Sequence, residues 1–264
     1  MELELLMNEI NATFPVETAM PNDRIGLQIQ TENNTVNGLL ITLEVTDKVI
    51  EECIKNNFNT ILTFHPLIYQ KLEKISLTDR VGKLCSQLIK NSINLISIHT
   101  TFDTYQNGTN KILADKLGLK TIDFLVPDKI NDKCGMGIIA APNEKITAIE
   151  LIEKVYTVCN SPIRYSDTEH SKNINKIAIV GGSGTSFLQN VLDAKCDAFI
   201  TADATYHQFH TVKDKLLLID VGHYEMEQFV PQGIANALGN FLTKNNMKYK
   251  ITTVLTNPIS HYGY

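Results

Sequence analysis

Asn37-Gly38-Leu39-Leu40-Ile41-Thr42-Leu43, then Asp47 to Asn57, then Thr60-Ile61-Leu62-Thr63-Phe64: this stretch decides the fold. Its first and third pieces are short, continuous apolar runs, the pattern of strands buried on both faces. The piece between them carries Val49, Ile50, Cys53 and Ile54 at helical spacing. A strand, a helix and a strand in that order form a βαβ unit with parallel strands. The pattern continues outward. Arg80 to Asn91 is helical through Val81, Leu84, Cys85 and Leu88, and Asn94-Leu95-Ile96-Ser97-Ile98 is the next strand. A polar loop, Thr101 to Asn110, leads to a helix ending near Gly118, a residue suited to the position just past a helix end.

A second cycle begins near Cys134-Gly135-Met136-Gly137-Ile138-Ile139-Ala140 and continues into a helix from Ala148 to Cys159. Lys176 to Val180, Asp197 to Thr201 and Leu216 to Asp220 read as strands, and the first runs into Gly181-Gly182-Ser183-Gly184. A helix from Met226 to Asn245 and a strand from Tyr249 to Leu255 follow. The expected fold class is α/β, with two α/β lobes and largely parallel sheets. The polar stretch from Val126 to Lys133 marks the boundary between lobes.

Composition excludes several classes. Of 264 residues, 43% are hydrophobic and 20% charged, which is ordinary for a globular chain and not for a disordered one. Lys plus Arg is 24 and Asp plus Glu is 29, a net charge of −5 that argues against a non-specific nucleic-acid binder. The five cysteines are dispersed without a CxxC pair, so they read as buried small hydrophobes in a reducing compartment. The N-terminus lacks a basic, signal-like start, and no apolar run approaches the roughly 20 residues that span a bilayer. A cytoplasmic location with no membrane partner is expected.

Chemistry belongs at the strand ends, because open parallel sheets bind ligands outside the carboxyl ends of their strands. His65 follows the strand ending at Phe64, His99 follows Ile98, and His223 follows Asp220 after Val221-Gly222. Asp103 lies four residues after His99, and Glu227 is the i+4 partner of His223 on a helical turn. Imidazole with carboxylate suits Zn, Fe, Mn, Co or Ni without choosing among them. Gly181–Gly184 fails the dinucleotide fingerprint, because Phe187 stands where its third glycine belongs, and no P-loop is present. It is either a tight strand-to-helix turn or an anion cradle. Asp203 and His207 at i, i+4 read as a solvated helix start, and His170, His210 and His261 as surface residues. No G-x-S-x-G occurs, which disfavours a serine nucleophile.

These residues resemble the NGG-interacting-factor-three-like family, also known as type-2 homologues of GTP cyclohydrolase I. The family's D-N-x-G-L is similar to Asn22-Asp23-Arg24-Ile25-Gly26-Leu27, and its T-H-H-P-L to Thr63-Phe64-His65-Pro66-Leu67. H-T-x-x-D with G-x-N resembles His99–Asp103 with Gly108-Thr109-Asn110. G-G-x-G resembles Gly181–Gly184, T-G-D-x-x-Y-H resembles Thr201–His207, and G-H-Y-x-x-E resembles Gly222–Glu227.

The resemblance implies one lobe from residues 1–126 with 222–264 and a second from 127–221, with a dinuclear metal site in the cleft between them and a ring-like homohexamer. It implies His65, Asp103, His223 and Glu227 as ligands of one or two divalent ions, with His99 beside them; an imidazole there is suited to act as the catalytic acid or base. No organic cofactor is expected. The implied activity is metal-dependent hydrolysis of a nucleotide-like or phosphorylated small molecule. The family name suggests opening of a purine imidazole ring with release of formate. The alternative is a non-catalytic metal-binding or interaction scaffold. The chain departs from the family at Phe64, where a histidine is usual, and at Ala202, where a glycine is usual. Phe cannot donate to a metal, so one metal position is expected to be empty or weak unless water or Glu225 fills the gap.

Overall fold

The computed structural model describes residues 1–169 and 172–262, and the chain divides into two compact units. One comprises Met1–Phe102 and Val230–Pro258, and the other Asp103–Phe229 with the chain from Ile259.

The first unit is built on a five-stranded sheet. From edge to edge its strands are Gly26–Ile29, Asn94–Ser97, Thr60–Thr63, Leu39–Thr42 and Tyr249–Ile251. Only the pairing of Gly26–Ile29 with Asn94–Ser97 is antiparallel. Every residue of the three central strands is buried, as their continuous apolar runs require. Thr46 and Asp79 start the crossover helices Asp47–Lys55 and Arg80–Lys90, their side chains accepting from the N–H groups of Val49 and Gly82. The buried faces of these helices, including Val49, Cys53, Leu84 and Leu88, pack on Leu40, Ile61 and Leu95. Side chains alternate along a strand, so Leu39, Ile41, Leu62 and Ile96 point to the opposite face. They too are fully buried. Helix Val230–Lys244 packs against Leu39–Thr42 and against the N-terminal helix Leu3–Thr13, which buries Leu3, Leu6 and Ile10. In register, Leu39 faces Thr60 and Thr60 faces Asn94, so the three parallel strands end level at Thr42, Thr63 and Ser97. Glu44, His65 and His99 follow those ends directly.

The second unit carries a six-stranded sheet in the order Leu119–Pro127, Gly135–Pro142, Ile177–Ile179, Ala198–Thr201, Leu217–Asp220, Arg164–Tyr165. Ile177–Ile179, Ala198–Thr201 and Leu217–Asp220 run parallel, and the remaining pairs are antiparallel. Helix Ala148–Cys159 opens on a capping box in which Thr147 and Glu150 satisfy each other's backbone N–H groups. Its buried face joins Ile138, Ile177, Ile200 and Ile219 in the core.

The structure differs from the sequence reading at four places. The division between units falls at 102/103 and 229/230, where 126/127 and 221/222 were expected. The polar stretch after Val126 is a hairpin tip: Asp128 Oδ1 accepts from the N–H groups of Ile130 and Asn131, and flanking strands Leu119–Pro127 and Gly135–Pro142 pair along their length. The expected loop 101–110 is partly helix His99–Thr104, anchored by Phe102, which is fully buried with its ring centroid 5.3 Å from that of Phe14. The expected helix 226–245 is two helices, His223–Glu227 and Val230–Lys244, the second carrying Pro231 in its first turn, where proline is tolerated. The last strand stops at Ile251, beyond which Thr252 and Thr253 donate to the Glu52 carboxylate. Among the described residues no helix is long and apolar enough to cross a membrane.

Candidate functional site

In the first unit, backbone bonds across the sheet end fix both histidines. The His65 N–H donates to Leu43 O at 3.0 Å and the His99 N–H to Phe64 O at 2.9 Å. His99 opens its helix at φ 28°, which turns the chain sharply off the strand. Each imidazole then meets a carboxylate through Nδ1. His65 Nδ1 lies 3.3 Å from Glu44 Oε2, and His99 Nδ1 lies 2.7 Å from Asp23 Oδ1. Asp23 also accepts from the Thr100 N–H at 3.1 Å and from the Thr100 hydroxyl. Glu44 also accepts from Arg80 at 3.0 Å. Phe64 is fully buried, with its ring centroid 4.9 Å from that of His65 and 5.6 Å from that of His99. It presents carbon to both imidazoles.

In the second unit, His223 begins a short helix after Gly222, whose φ of 101° only glycine adopts readily. The i+4 spacing brings His223 Nε2 to 3.2 Å from Glu227 Oε2. On its other nitrogen, His223 Nδ1 lies 2.7 Å from Asp203 Oδ2, which also accepts from the Ser183 hydroxyl. Gly182 sits above the donor atoms at φ 60°. A Cβ there would stand 2.6 Å from Glu227 Oε1 and 3.1 Å from His223 Nε2. The Gly181–Gly184 turn is therefore a clearance over His223 and Glu227. The same turn is tied to Asp103. The Gly181 N–H donates to Asn110 Oδ1 at 2.7 Å, and Asn110 Nδ2 donates to the Asp103 carbonyl at 2.9 Å.

One arrangement thus recurs three times: a histidine at a strand end with a carboxylate on Nδ1. A carboxylate there fixes tautomer and ring orientation and makes Nε2 the nitrogen for a cation or a proton. All three carboxylates are held in their ionised form. Burial alone would raise the Asp23 pKa, but the bonds from His99 and Thr100 outweigh it and hold the group down to about 2. Burial likewise opposes ionisation of Glu44 and Asp203. His65 with Arg80 holds Glu44 below the usual range, and Ser183 with His223 holds Asp203 below it against the nearby Glu227. Imidazole and carboxylate donors with carboxylates behind the imidazoles, under a glycine clearance, fit a divalent transition ion.

The predicted residues therefore fall into two groups. His65 and His99 stand together in the first unit, with ring centroids 5.7 Å apart, and His223 and Glu227 stand together in the second. Asp103 is buried in the second unit, tethered through Asn110 to the glycine turn. Asp203, expected to be a solvated helix start, instead holds His223, while His207 is exposed on the helix that follows. His210 and His261 are exposed, and His170 lies outside the described residues. All five cysteines are buried, and burial pushes the Cys53 and Cys159 thiols up to about 12. Sequence reasoning assigned no role to Asp23 or Glu44. Asp23 carried a signal within the Asn22–Leu27 motif, whereas Glu44 had only its position after a strand.

Comparisons with known proteins place the fold and the family. A GTP cyclohydrolase 1 type 2 homolog of Clostridium perfringens is 31% identical over 229 residues, covering 86% of this chain and 87% of the relative. Another, from Lactococcus lactis, is 30% identical over 246 residues, covering 91% and 93%. The crystal structure of Staphylococcus aureus protein SA1388 matches with a TM-score of 0.91 at 26% identity over 99% of both chains. That of a Bacillus cereus protein related to NIF3 shares the fold, with a TM-score of 0.92 at 21% identity over 99% of both chains. Residues 1–258 match one family along almost the whole chain, and the protein belongs to that family, Duf34/NIF3 (NGG1p interacting factor 3).

Proposed function

We propose that the protein is a divalent-metal-dependent hydrolase acting on a nucleotide-like or other phosphorylated small molecule. The observation that carries this reading is His223, held by Asp203 through Nδ1 and facing Glu227 through Nε2 beneath the Gly182 clearance. His223 and Glu227 offer an imidazole and a carboxylate to a transition ion, and His65 and Asp103 are the further ligands we assign from the family resemblance. When bound, such an ion supplies positive charge that polarises the group under attack and makes water more acidic.

The protein's own residues supply orientation and proton transfer. Asp203 and Glu44 hold the His223 and His65 rings in one tautomer. His99 Nε2 takes or gives the proton, with Asp23 on Nδ1 holding the ring in place. The names of the relatives make GTP the first substrate to try.

Phe64 favours a second reading, a scaffold that binds metal without turnover, because a buried carbon ring occupies the place beside His65 and His99. One experiment separates the two. The protein is reconstituted with Mn, Zn or Fe, and turnover of GTP and of generic phosphoesters is measured beside His223→Ala. Metal-dependent turnover lost in the variant supports the hydrolase. Metal binding without turnover supports the scaffold, and neither would sink both readings. The family resemblance also leads us to propose a closed homohexamer, which a monomer by light scattering at micromolar concentration would refute.

A further inference from the structure

Tyr69 stands at the rim of the His99 site for no evident structural reason. It is 53% exposed, although its ring centroid lies 6.3 Å from that of His99, with the planes at 85°. An exposed tyrosine on an irregular loop would ordinarily be a solvated side chain, but the backbone that leads into this one is held in place. The preceding residue, Ile68, is clamped by the Gln28 amide: the Ile68 N–H donates to Gln28 Oε1 at 3.0 Å, and Gln28 Nε2 donates to the Ile68 carbonyl at 3.1 Å. Gln28 belongs to the edge strand Gly26–Ile29, which leads directly from the Asp23 segment. Just before the clamp, Leu67 is buried in the core. The rigid sheet edge that supplies Asp23 to His99 thus also positions the backbone next to Tyr69.

We propose that Tyr69 is a stacking platform that binds the planar ring of the substrate beside His99, so that the substrate class is a phosphorylated compound with an aromatic heterocycle. This rests on the reading of His99 as the proton-transfer group. A ligand ring lying parallel to Tyr69 stands, like Tyr69, at nearly a right angle to the imidazole. It cannot stack on both rings at once, and His99 stays available to transfer a proton. Aromatic faces accept any base, so the platform sets a preference for planar rings and leaves base identity to other contacts.

The test is equilibrium binding to the Mn-reconstituted full chain, with GTP, ATP and inorganic tripolyphosphate as probes. Wild type should bind both nucleotides more tightly than tripolyphosphate. Tyr69→Ala should weaken nucleotide binding roughly tenfold and leave tripolyphosphate unchanged, while Tyr69→Phe should bind like wild type. Gln28→Ala, which frees the clamp without touching the ring, should weaken nucleotide binding in the same direction. Equal nucleotide affinity in wild type and Tyr69→Ala would overturn the proposal. So would a parallel loss for tripolyphosphate, or wild type that prefers tripolyphosphate. Metal content measured on the same samples separates failure of this platform from failure of the metal reading.

Discussion

Gly182→Ala tests the clearance over His223 and Glu227 with a single methyl group. Two costs add. The backbone at φ 60° is left-handed, and a Cβ there costs roughly 1–2 kcal/mol. The new carbon would stand 2.6 Å from Glu227 Oε1, inside van der Waals contact, so the carboxylate must move. Its side chain is only 3% exposed and has little room to do so, while the His223 ring 3.1 Å away is pinned by Asp203. We expect a stability loss of about 1–3 kcal/mol, or a fall in Tm of roughly 3–10 °C for units of this size. We also expect at least about a tenfold loss of metal affinity, the scale seen when groups behind metal ligands are disturbed. Differential scanning fluorimetry with and without Mn or Zn, together with metal titration, reads both. Gly239→Ala is the control: its Cβ meets nothing within 4 Å, and in mid-helix it should stabilise by about 0.5–1 kcal/mol. A Gly182→Ala protein with wild-type Tm and wild-type metal affinity would refute the reasoning.

Asp203→Asn removes the charge behind His223 while keeping its shape, so metal affinity should fall roughly 10- to 100-fold with unchanged circular dichroism; unchanged affinity would remove Asp203 from the site. Phe64→His places an imidazole among buried rings, so the metal-free variant should lose about 1–3 kcal/mol, while added Zn or Mn should raise metal stoichiometry or affinity and restore stability. Two equally tight ions in wild type with no gain in the variant would show that the missing imidazole is irrelevant. Glu52 joins helix Asp47–Lys55 to the last strand through Lys250 at 2.8 Å; burial opposes its ionisation, but Lys250, Thr252 and Thr253 hold its pKa at about 2 instead of 4.5. Its folded pKa is depressed, so its contribution of at most about 3 kcal/mol is complete above pH 4.5 and disappears as pH falls towards 2. The stability gap between wild type and Glu52→Gln, measured by urea titration, should therefore narrow across that interval, and a constant gap would contradict it.

Legibility from sequence followed the strength of local signals. The helix Ala148–Cys159 was legible to the residue because its apolar spacing runs directly from a Thr147–Glu150 capping box. The three parallel strands of the first unit were legible because burial on both faces leaves no charged position and keeps an apolar run at the centre of each, with small polar residues only at the strand ends. Strand Leu119–Pro127 was not: Lys120 and Asp123 are exposed, and a register shift between Thr121 and Asp123 breaks its alternation. That hidden strand made a hairpin tip look like a linker and displaced the expected unit boundary. Helix His99–Thr104 was hidden because threonine-rich segments favour other conformations, and burial of Phe102 overrides that preference. At the site, the histidines were visible from their places after strands, and Glu227 from its i+4 spacing. Their carboxylate partners were not, because Asp23 is 76 residues from His99 and Asp203 is 20 from His223, distances that only the folded sheets close.

The most direct measurement is metal content by elemental analysis after reconstitution with Mn, Zn or Fe, on wild type, His65→Ala and His223→Ala. At least one ion per chain is expected in wild type, with a marked loss in both variants and weaker retention in acid, where the imidazoles protonate. Well under one ion per wild-type chain, or metal content indifferent to both substitutions, would contradict a metal centre built on these histidines.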